Sequence, residues 1–412
     1  MRIRSVTIGT RVGYPLDDGL FEELKRFQLE ARGRFEEAGL EVQTVRLATE
    51  PFPTVLRDHG PAEAVPFAQA LESMCQAHGI DYCSIGPVVT TEPGAELAYV
   101  DAIPDVIRTT EAAFASVLVA GRDSGISLAG VERAAEAVVE IGHSTPDGFG
   151  NLRLAVLASC EPGSPFFPVS YHRGSETRFS IATEAADLAV EAFSRAATLE
   201  EARTNLEHAI EQQARMIEDV CGGLASDFDL QFGGIDFSLA PFPETARSIG
   251  HAIEKLGVER FGSSGTLFAV AFIKGAIEAA RFTRCGFSGV MLPVLEDATL
   301  AERSGEDLFT LDSLLLYSTV CGTGLDTIPL PGDVSVEEVA SILLDLATLS
   351  LVADKPLTAR LMPIPGKGAG EMTTFDFPYF ANTRIMAVKG RGASRLFDEN
   401  TFLRYQGSVG RP

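Results

Sequence analysis

Residues 3–47 read IRSVTIGTRVGYPLDDGLFEELKRFQLEARGRFEEAGLEVQTVRL, and the fold class follows from this stretch. Ile3 to Ile8 alternates as a strand does. After the turn at Tyr14-Pro15, Asp17 or Asp18 is placed to cap a helix running to about Ala38. Leu20, Phe21, Leu24, Phe27 and Leu29 give that helix an apolar stripe near the helical period. Gly39 suits the position just past a helix end, and Leu40 to Leu47 alternates again. The opening is therefore a βαβ unit.

The same grammar recurs downstream. Helices are predicted over Ala62–His78, Ile103–Ala113 and Leu128–Ile141, each followed by a strand, over Tyr82–Ile85, Ser116–Ala120 and Leu152–Ser159. A long acidic helix, Leu199–Cys221, leads to a strand over Asp229–Phe237. Helices over Ala246–Leu256 and Thr266–Phe282 precede a strand at Gly289–Val294. Helices over Leu311–Val320 and Val336–Val352 lead to strands at Leu325–Leu330 and Leu357–Pro363, with a late strand at Arg384–Val388. Alternation at this spacing predicts a mainly parallel α/β sheet or barrel. No linker marks a boundary and no tandem repeat is evident, so the expectation is one large α/β barrel of about ten strands spanning 1–412, with 391–412 a C-terminal extension.

The chain has 412 residues, 45% hydrophobic and 22% charged, with 34 Lys+Arg against 57 Asp+Glu, a net charge of −23. That field repels phosphate backbones and anionic lipid, which argues against nucleic acid and membrane surfaces as partners. Six scattered cysteines without a C-x-x-C pair fit a reducing compartment. No signal-like start precedes the first strand, and apolar runs such as Leu267–Ile273 are too short to span a bilayer. The expected location is the cytoplasm.

Sites in parallel α/β folds gather beyond strand ends. After the strand ending at Ser159 comes a loop holding Cys160, Glu161 and His172, a thiol, a carboxylate and an imidazole suited to proton transfer; a plain polar surface loop explains it equally well. Asp236, flanked by Ile235 and Phe237, either caps a helix or faces a site, since burying it alone is costly. Ser263, Ser264, Gly265 and Thr266 precede an apolar helix, as an anion nest or as an ordinary cap. Ser288 and Gly289 lie in a glycine-rich approach to Glu296-Asp297, where Asp297 reads better as a helix cap than as half of a metal pair. Cys321 has no base adjacent in sequence and packs as well as it reacts. Asp326, inside an apolar strand, is the odder residue. The run Pro365 to Gly370 lacks the phosphate-loop spacing, and no H-E-x-x-H, G-x-S-x-G or G-x-G-x-x-G occurs, so there is no nucleotide motif.

These stretches resemble the domain-of-unknown-function 711 family of bacteria and archaea: IRSVTIG at Ile3, DSGIS at Asp123, SPFFPVSYHRG at Ser164, GIDFSLAPFPETARSIGHAIEKLG at Gly234, GSSGT at Gly262, CGFSGVMLPVLED at Cys285, STVCGTGLDTIPLPGD at Ser318 and IPGKGAGEM at Ile364. The resemblance covers nearly the whole chain. It implies a fold similar to the ten-stranded barrel of pyruvate-formate-lyase-like glycyl radical enzymes, with no assigned reaction. It places His172, Asp236, Ser238, Gly265, Thr266, Ser288, Gly289, Cys321, Gly324 and Asp326 at matching motif positions. Ser263-Ser264 stands where the family pattern has Thr and His, and the surroundings of Glu161 also differ. The radical loop of that superfamily, R-V-x-G-aromatic near the C-terminus, is missing. Arg11-Val12-Gly13-Tyr14 is one residue short and at the wrong end, and Tyr405–Arg411 lacks the pattern, so a glycyl radical is not expected.

The expectation is a non-radical lyase, isomerase or hydrolase acting on a small polar, anionic metabolite. His172 with Asp236 or Asp326 would move protons, and Ser263 to Thr266 with Ser288 and Gly289 would hold the ligand. A divalent metal on some of Asp236, Asp326, Glu161 and His172 is an option, and a homo-oligomer is expected. The alternative is a non-catalytic metabolite-binding or regulatory protein on the same barrel.

Overall fold

In the computed structural model, which describes residues 1–92, 94–390, 392 and 402–404, the strands are β1 (Arg2–Gly9), β2 (Val42–Ala48), β3 (Tyr82–Val89), β4 (Ala113–Gly121), β5 (Gly125–Ser127), β6 (Leu154–Ala158), β7 (Arg178–Glu184), β8 (Gln231–Ala240), β9 (Gly324–Pro331), β10 (Leu357–Ile364) and β11 (Phe402–Leu403). The helices are α1 (Asp18–Glu37), α2 (Phe52–Val55), α3 (Ala64–Ala77), α4 (Ala98–Asp101), α5 (Ile103–Thr109), α6 (Leu128–Ser144) and α7 (Ala186–Ser194). They continue with α8 (Leu199–Phe228), α9 (Ile249–Lys255), α10 (Thr266–Ala279), α11 (Ala298–Gly305), α12 (Leu311–Ser318) and α13 (Val336–Ala353). The proposed extension over 391–412 lies mostly outside the described residues.

All strands belong to one mixed sheet, ordered β8-β7-β1-β2-β3-β4-β6-β10-β9, with β5 and β11 paired beside β4. Strands β1, β2, β3, β4 and β6 run parallel. So do β7 with β8 and β9 with β10. The parallel blocks meet antiparallel at β1/β7 and β6/β10. The predicted strand at Gly289–Val294 is not a regular one, because Gly286, Gly289 and Pro293 interrupt it. The segment is nevertheless hydrogen-bonded on both sides. Cys285 donates to Ile235 (3.1 Å) and Leu239 to the Gly289 carbonyl (3.1 Å) on the β8 side; Val294 donates to Asp326 (3.1 Å) in β9.

Local rules explain most elements. Asp17 caps α1 by accepting from the Gly19 amide (3.0 Å). The buried face of α1 is Phe21, Leu24, Phe27, Ala31 and Phe35, whereas Leu29, counted in the sequence stripe, is 58% exposed. Helix α8 is capped by Thr198 and runs past Cys221 to Phe228. Its buried stripe of Ala202, Leu206, Ile210, Ala214, Ile217, Cys221 and Leu224 keeps to three- and four-residue steps throughout. β7 and α7 were not anticipated, because they follow a long stretch that reads as loop. The late strand is reduced to one bridge, Met372 to Arg384. Five strands (β4, β6, β7, β9 and β10) are buried over nearly their whole length, as sheets covered on both faces must be. No helix among the described residues is long and apolar enough to cross a membrane.

Candidate functional site

Along a strand alternate residues face opposite sides. In β10, Leu357, Ala359 and Leu361 pack into the main apolar core, so Arg360 projects to the other face. Val45 and Leu47 do the same for β2, leaving Arg46 on the far side. Together with Arg4 of β1, Asp326 of β9 and Glu296, which ends the bridging segment, these residues form a charge centre. Arg360 Nε donates to Asp326 Oδ1 (2.5 Å) and its Nη2 to Glu296 Oε1 (2.8 Å). Arg4 Nη2 donates to Glu296 Oε2 (2.6 Å). Glu296, Asp326 and Arg360 are all buried.

Burial pushes the Glu296 carboxyl upward, but Arg360 and Arg4 outweigh it and hold the group below its ordinary range. Asp326 is displaced upward, by burial first and by the neighbouring Glu296, against the pull of Arg360. Arg360 loses to burial less than it gains from the two carboxylates. Arg46 differs from its neighbours: among the described residues it has no carboxylate within ion-pair distance. Its Nε donates to Thr44 Oγ1 (2.8 Å), and its guanidinium lies 5.6 Å from the Tyr82 ring centre and 5.2 Å from that of Phe167. Burial and Arg4 pull its acidity upward, yet a guanidinium stays charged at neutral pH.

Arg4, Arg46, Glu296 and Arg360 line a cavity of about 100 Å³ whose other walls are Gln43, Thr44, Tyr82, Phe114, Leu152, Phe167, Phe377 and Tyr379. Part of this wall comes from an unexpected source. The loop read as polar surface is buried from Ser164 to His172. Thr7 Oγ1 donates to the Pro165 carbonyl (3.2 Å), and Ser84 Oγ to that of Ser170 (2.7 Å). Phe166 packs beneath Arg360 and Phe167 against Phe114.

The other sequence candidates fall in separate places. His172 is buried; its amide donates to the Thr49 carbonyl, Nε2 lies 3.1 Å from the Gly174 oxygen, and Nδ1 is buried with no hydrogen-bond partner among the described residues. Burial lowers its pKa. Glu161 is exposed at a second cavity of about 260 Å³, shared with Ser159, Cys160 and Phe287, and burial pushes the Cys160 thiol up to about 12.

Asp236 sits in β8 with its carboxylate saturated. It accepts from Ser238 Oγ (2.5 Å), Phe287 N (2.9 Å) and Ser288 N (2.8 Å), and Gly289 N donates to Ser238 Oγ (3.3 Å). Gly286 adopts a φ of +58°, and a Cβ there would stand 2.2 Å from Asp236 Oδ2. Burial still raises the Asp236 pKa. Nearby, Gly289 and Gly322 pack backbone to backbone, beside the buried Cys321, whose Sγ accepts from Gly324 N (3.3 Å).

The hydroxyl loop stands apart. Thr266 Oγ1 donates to the Ser263 carbonyl (2.8 Å) and accepts from Gly262 N (3.0 Å), while Ser264 and Gly265 are exposed. Asp297 is a double cap, accepting from Thr299 and Leu300 of α11 and from Ile249 of α9. Among the described residues no three His, Cys, Asp or Glu side chains gather as a metal site needs.

Of the residues read from sequence, Asp326 and Glu296, the latter weighed there with Asp297 as a metal pair, belong to the charge centre. Arg4, Arg46 and Arg360 were passed over, although a charged residue inside an alternating apolar strand is the same signal that singled out Asp326.

Comparison with known proteins completes the picture. The family model described as "Uncharacterised ACR (DUF711)" matches residues 1–382. A "UPF0210 protein" of Pyrobaculum arsenaticum is 32% identical over 372 residues, covering 87% of this chain and 81% of that one. One from Methanopyrus kandleri is 30% identical over 399 residues (90% and 87%), and one from Clostridium beijerinckii 27% over 374 (88% and 82%).

Proposed function

The chain belongs to the DUF711 family, whose function is unknown, and from that premise we propose that it is a non-radical enzyme moving a proton on a small anionic metabolite held against Arg46. Glu296 is the acid/base group facing the ligand; Asp326 positions Arg360 from behind. The observation that carries the reading is Arg46, a guanidinium that has no carboxylate partner among the described residues and lines a cavity of a protein whose net charge is −23. Arginine at such a place suits a carboxylate, which it meets with two parallel hydrogen bonds.

The scaffold in this reading is a closed ten-stranded barrel of the pyruvate-formate-lyase kind. Two observations support it: β1, β2, β3, β4 and β6 form one parallel half, and segment 284–294 bridges β8 and β9 so that β7 to β10 form the other. The loop from Ser164 to His172 then plugs the barrel interior. Cytoplasmic placement belongs to the same reading, supported by six free cysteines.

A second reading, a non-catalytic metabolite-binding protein, is favoured by one feature. Glu296 is tied to two arginines, which weakens it as a base. Incubation with small carboxylates in D2O, followed by NMR, separates the two. Wild type exchanges a C–H of the bound ligand, and Glu296→Gln retains binding without exchange. Binding without exchange in wild type supports the second reading, and no binding at all rejects both.

A further inference from the structure

Resting on the proposed anion cavity, we infer that its ligand is a monocarboxylate with an apolar or aromatic body, and not a dicarboxylate or a phosphate ester. The argument is charge and shape. Arg4, Arg46 and Arg360 face Glu296 in the cavity, and Asp326 stands directly behind Arg360, so three cations meet two carboxylates. The excess is a single positive charge. One carboxylate makes the centre neutral; a second negative charge would be held beside Glu296 in a space where like charges are poorly screened. The neighbouring Arg2 and Arg247 do not add to this excess. They share the buried Glu184 and find their other partners in the exposed Glu41 and Glu244.

The rest of the wall is mostly aromatic and aliphatic; of its polar members, Gln43 donates to Glu184 and Thr44 to the Arg4 carbonyl. Tyr82, Phe114, Phe377 and Tyr379 offer ring surface and no further cation. A second anionic group at the far end of a ligand would lose part of its hydration there without gaining a second cation. A hydrocarbon or aromatic body would instead bury apolar area against these rings. At about 100 Å³ the cavity is well below the roughly 300 Å³ at which drug-sized sites begin, so the body is short.

Calorimetry on the intact chain at neutral pH tests this with four probes: butanoate, benzoate, succinate and inorganic phosphate. Butanoate or benzoate is expected to bind, with succinate and phosphate weaker by roughly tenfold or more, a difference of about 1.4 kcal/mol. Arg46→Met is expected to abolish the binding, and Arg46→Lys to restore part of it. Succinate or phosphate binding as tightly as benzoate, and lost in Arg46→Met, overturns the monocarboxylate class and leaves the anion cavity standing. Failure of every probe to bind wild type, or binding indifferent to both Arg46 variants, overturns the cavity reading and this inference together. The wild-type series needs no variant, so misfolding of Arg46→Met cannot mask the answer.

Discussion

Asp236 and Asp326 are the same side chain at the same depth, each 1% exposed and each in a strand of one sheet, yet they do different work. Asp236 is surrounded by neutral donors: two backbone amides and a serine hydroxyl supply hydrogen bonds to both its oxygens and fasten β8 to the 286–289 turn. Nothing is left over for a ligand. Asp326 is met by a guanidinium, and the ion pairs it joins end in a cavity with one unmatched cation. Burial alone therefore says little about role. In the proposed reading the two carboxylates differ in what answers them: dipoles at Asp236, and at Asp326 a set of charges that leaves one cation over.

The largest effect should come from breaking the charged side of this comparison. Arg360→Met strands Asp326 in the interior and leaves Glu296 to Arg4 alone, and urea unfolding should show a loss of about 3–5 kcal/mol. A loss under 1 kcal/mol would mean that water already reaches both carboxylates. On the neutral side, Asp236→Ala orphans donors whose desolvation costs roughly 1–3 kcal/mol each; with partial relaxation of the turn, a loss of about 2–3 kcal/mol is expected by the same measurement. Unlike Arg360→Met, it should leave anion binding in the cavity unchanged.

The smallest effect is on pH. Carboxyl ¹³C NMR should find Asp236 titrating above its ordinary 3.8 and Glu296 below its ordinary 4.5. Their contributions to stability run in opposite directions. That of Asp236 is complete below pH 3.8 and is lost as pH rises through its raised folded value. That of Glu296 is complete above pH 4.5 and is lost as pH falls through its lowered folded value. Titration of both in the same direction would mean that Arg360 and Arg4 do not outweigh burial at Glu296.

Much of the fold was legible because its signals are local. Asp17, Asp297 and Thr198 sit at helix starts where short polar side chains satisfy free amides, and the stripes of α1 and α8 repeat at helical spacing. The misreadings were also local in origin. Leu29 fits the apolar composition of α1 but lies off its buried arc. β7 follows a long stretch that reads as loop, with no preceding helix to announce it, and the segment at Gly289–Val294 pairs without regular strand geometry because glycine and proline break it. The Ser164–His172 loop reads as a surface loop because its serines and prolines break any strand or helix period, although Phe166, Phe167, Val169 and Tyr171 stand among them. Its burial comes from contacts with distant strands, through Thr7 of β1, Ser84 of β3 and Phe114 of β4.

By itself the sequence determined the alternation of strands and helices, the caps, and the oddity of Asp326 in an apolar strand, since each rests on neighbours within a few residues. Only the tertiary structure decided which charges meet. Arg4, Arg46, Glu296, Asp326 and Arg360 are spread over more than 350 positions, and a Coulombic partner is chosen by distance in space. The same physics kept His172, Asp236, Cys321 and the Ser263–Thr266 loop in separate surroundings, because the strand order of the sheet sets which loops share an end.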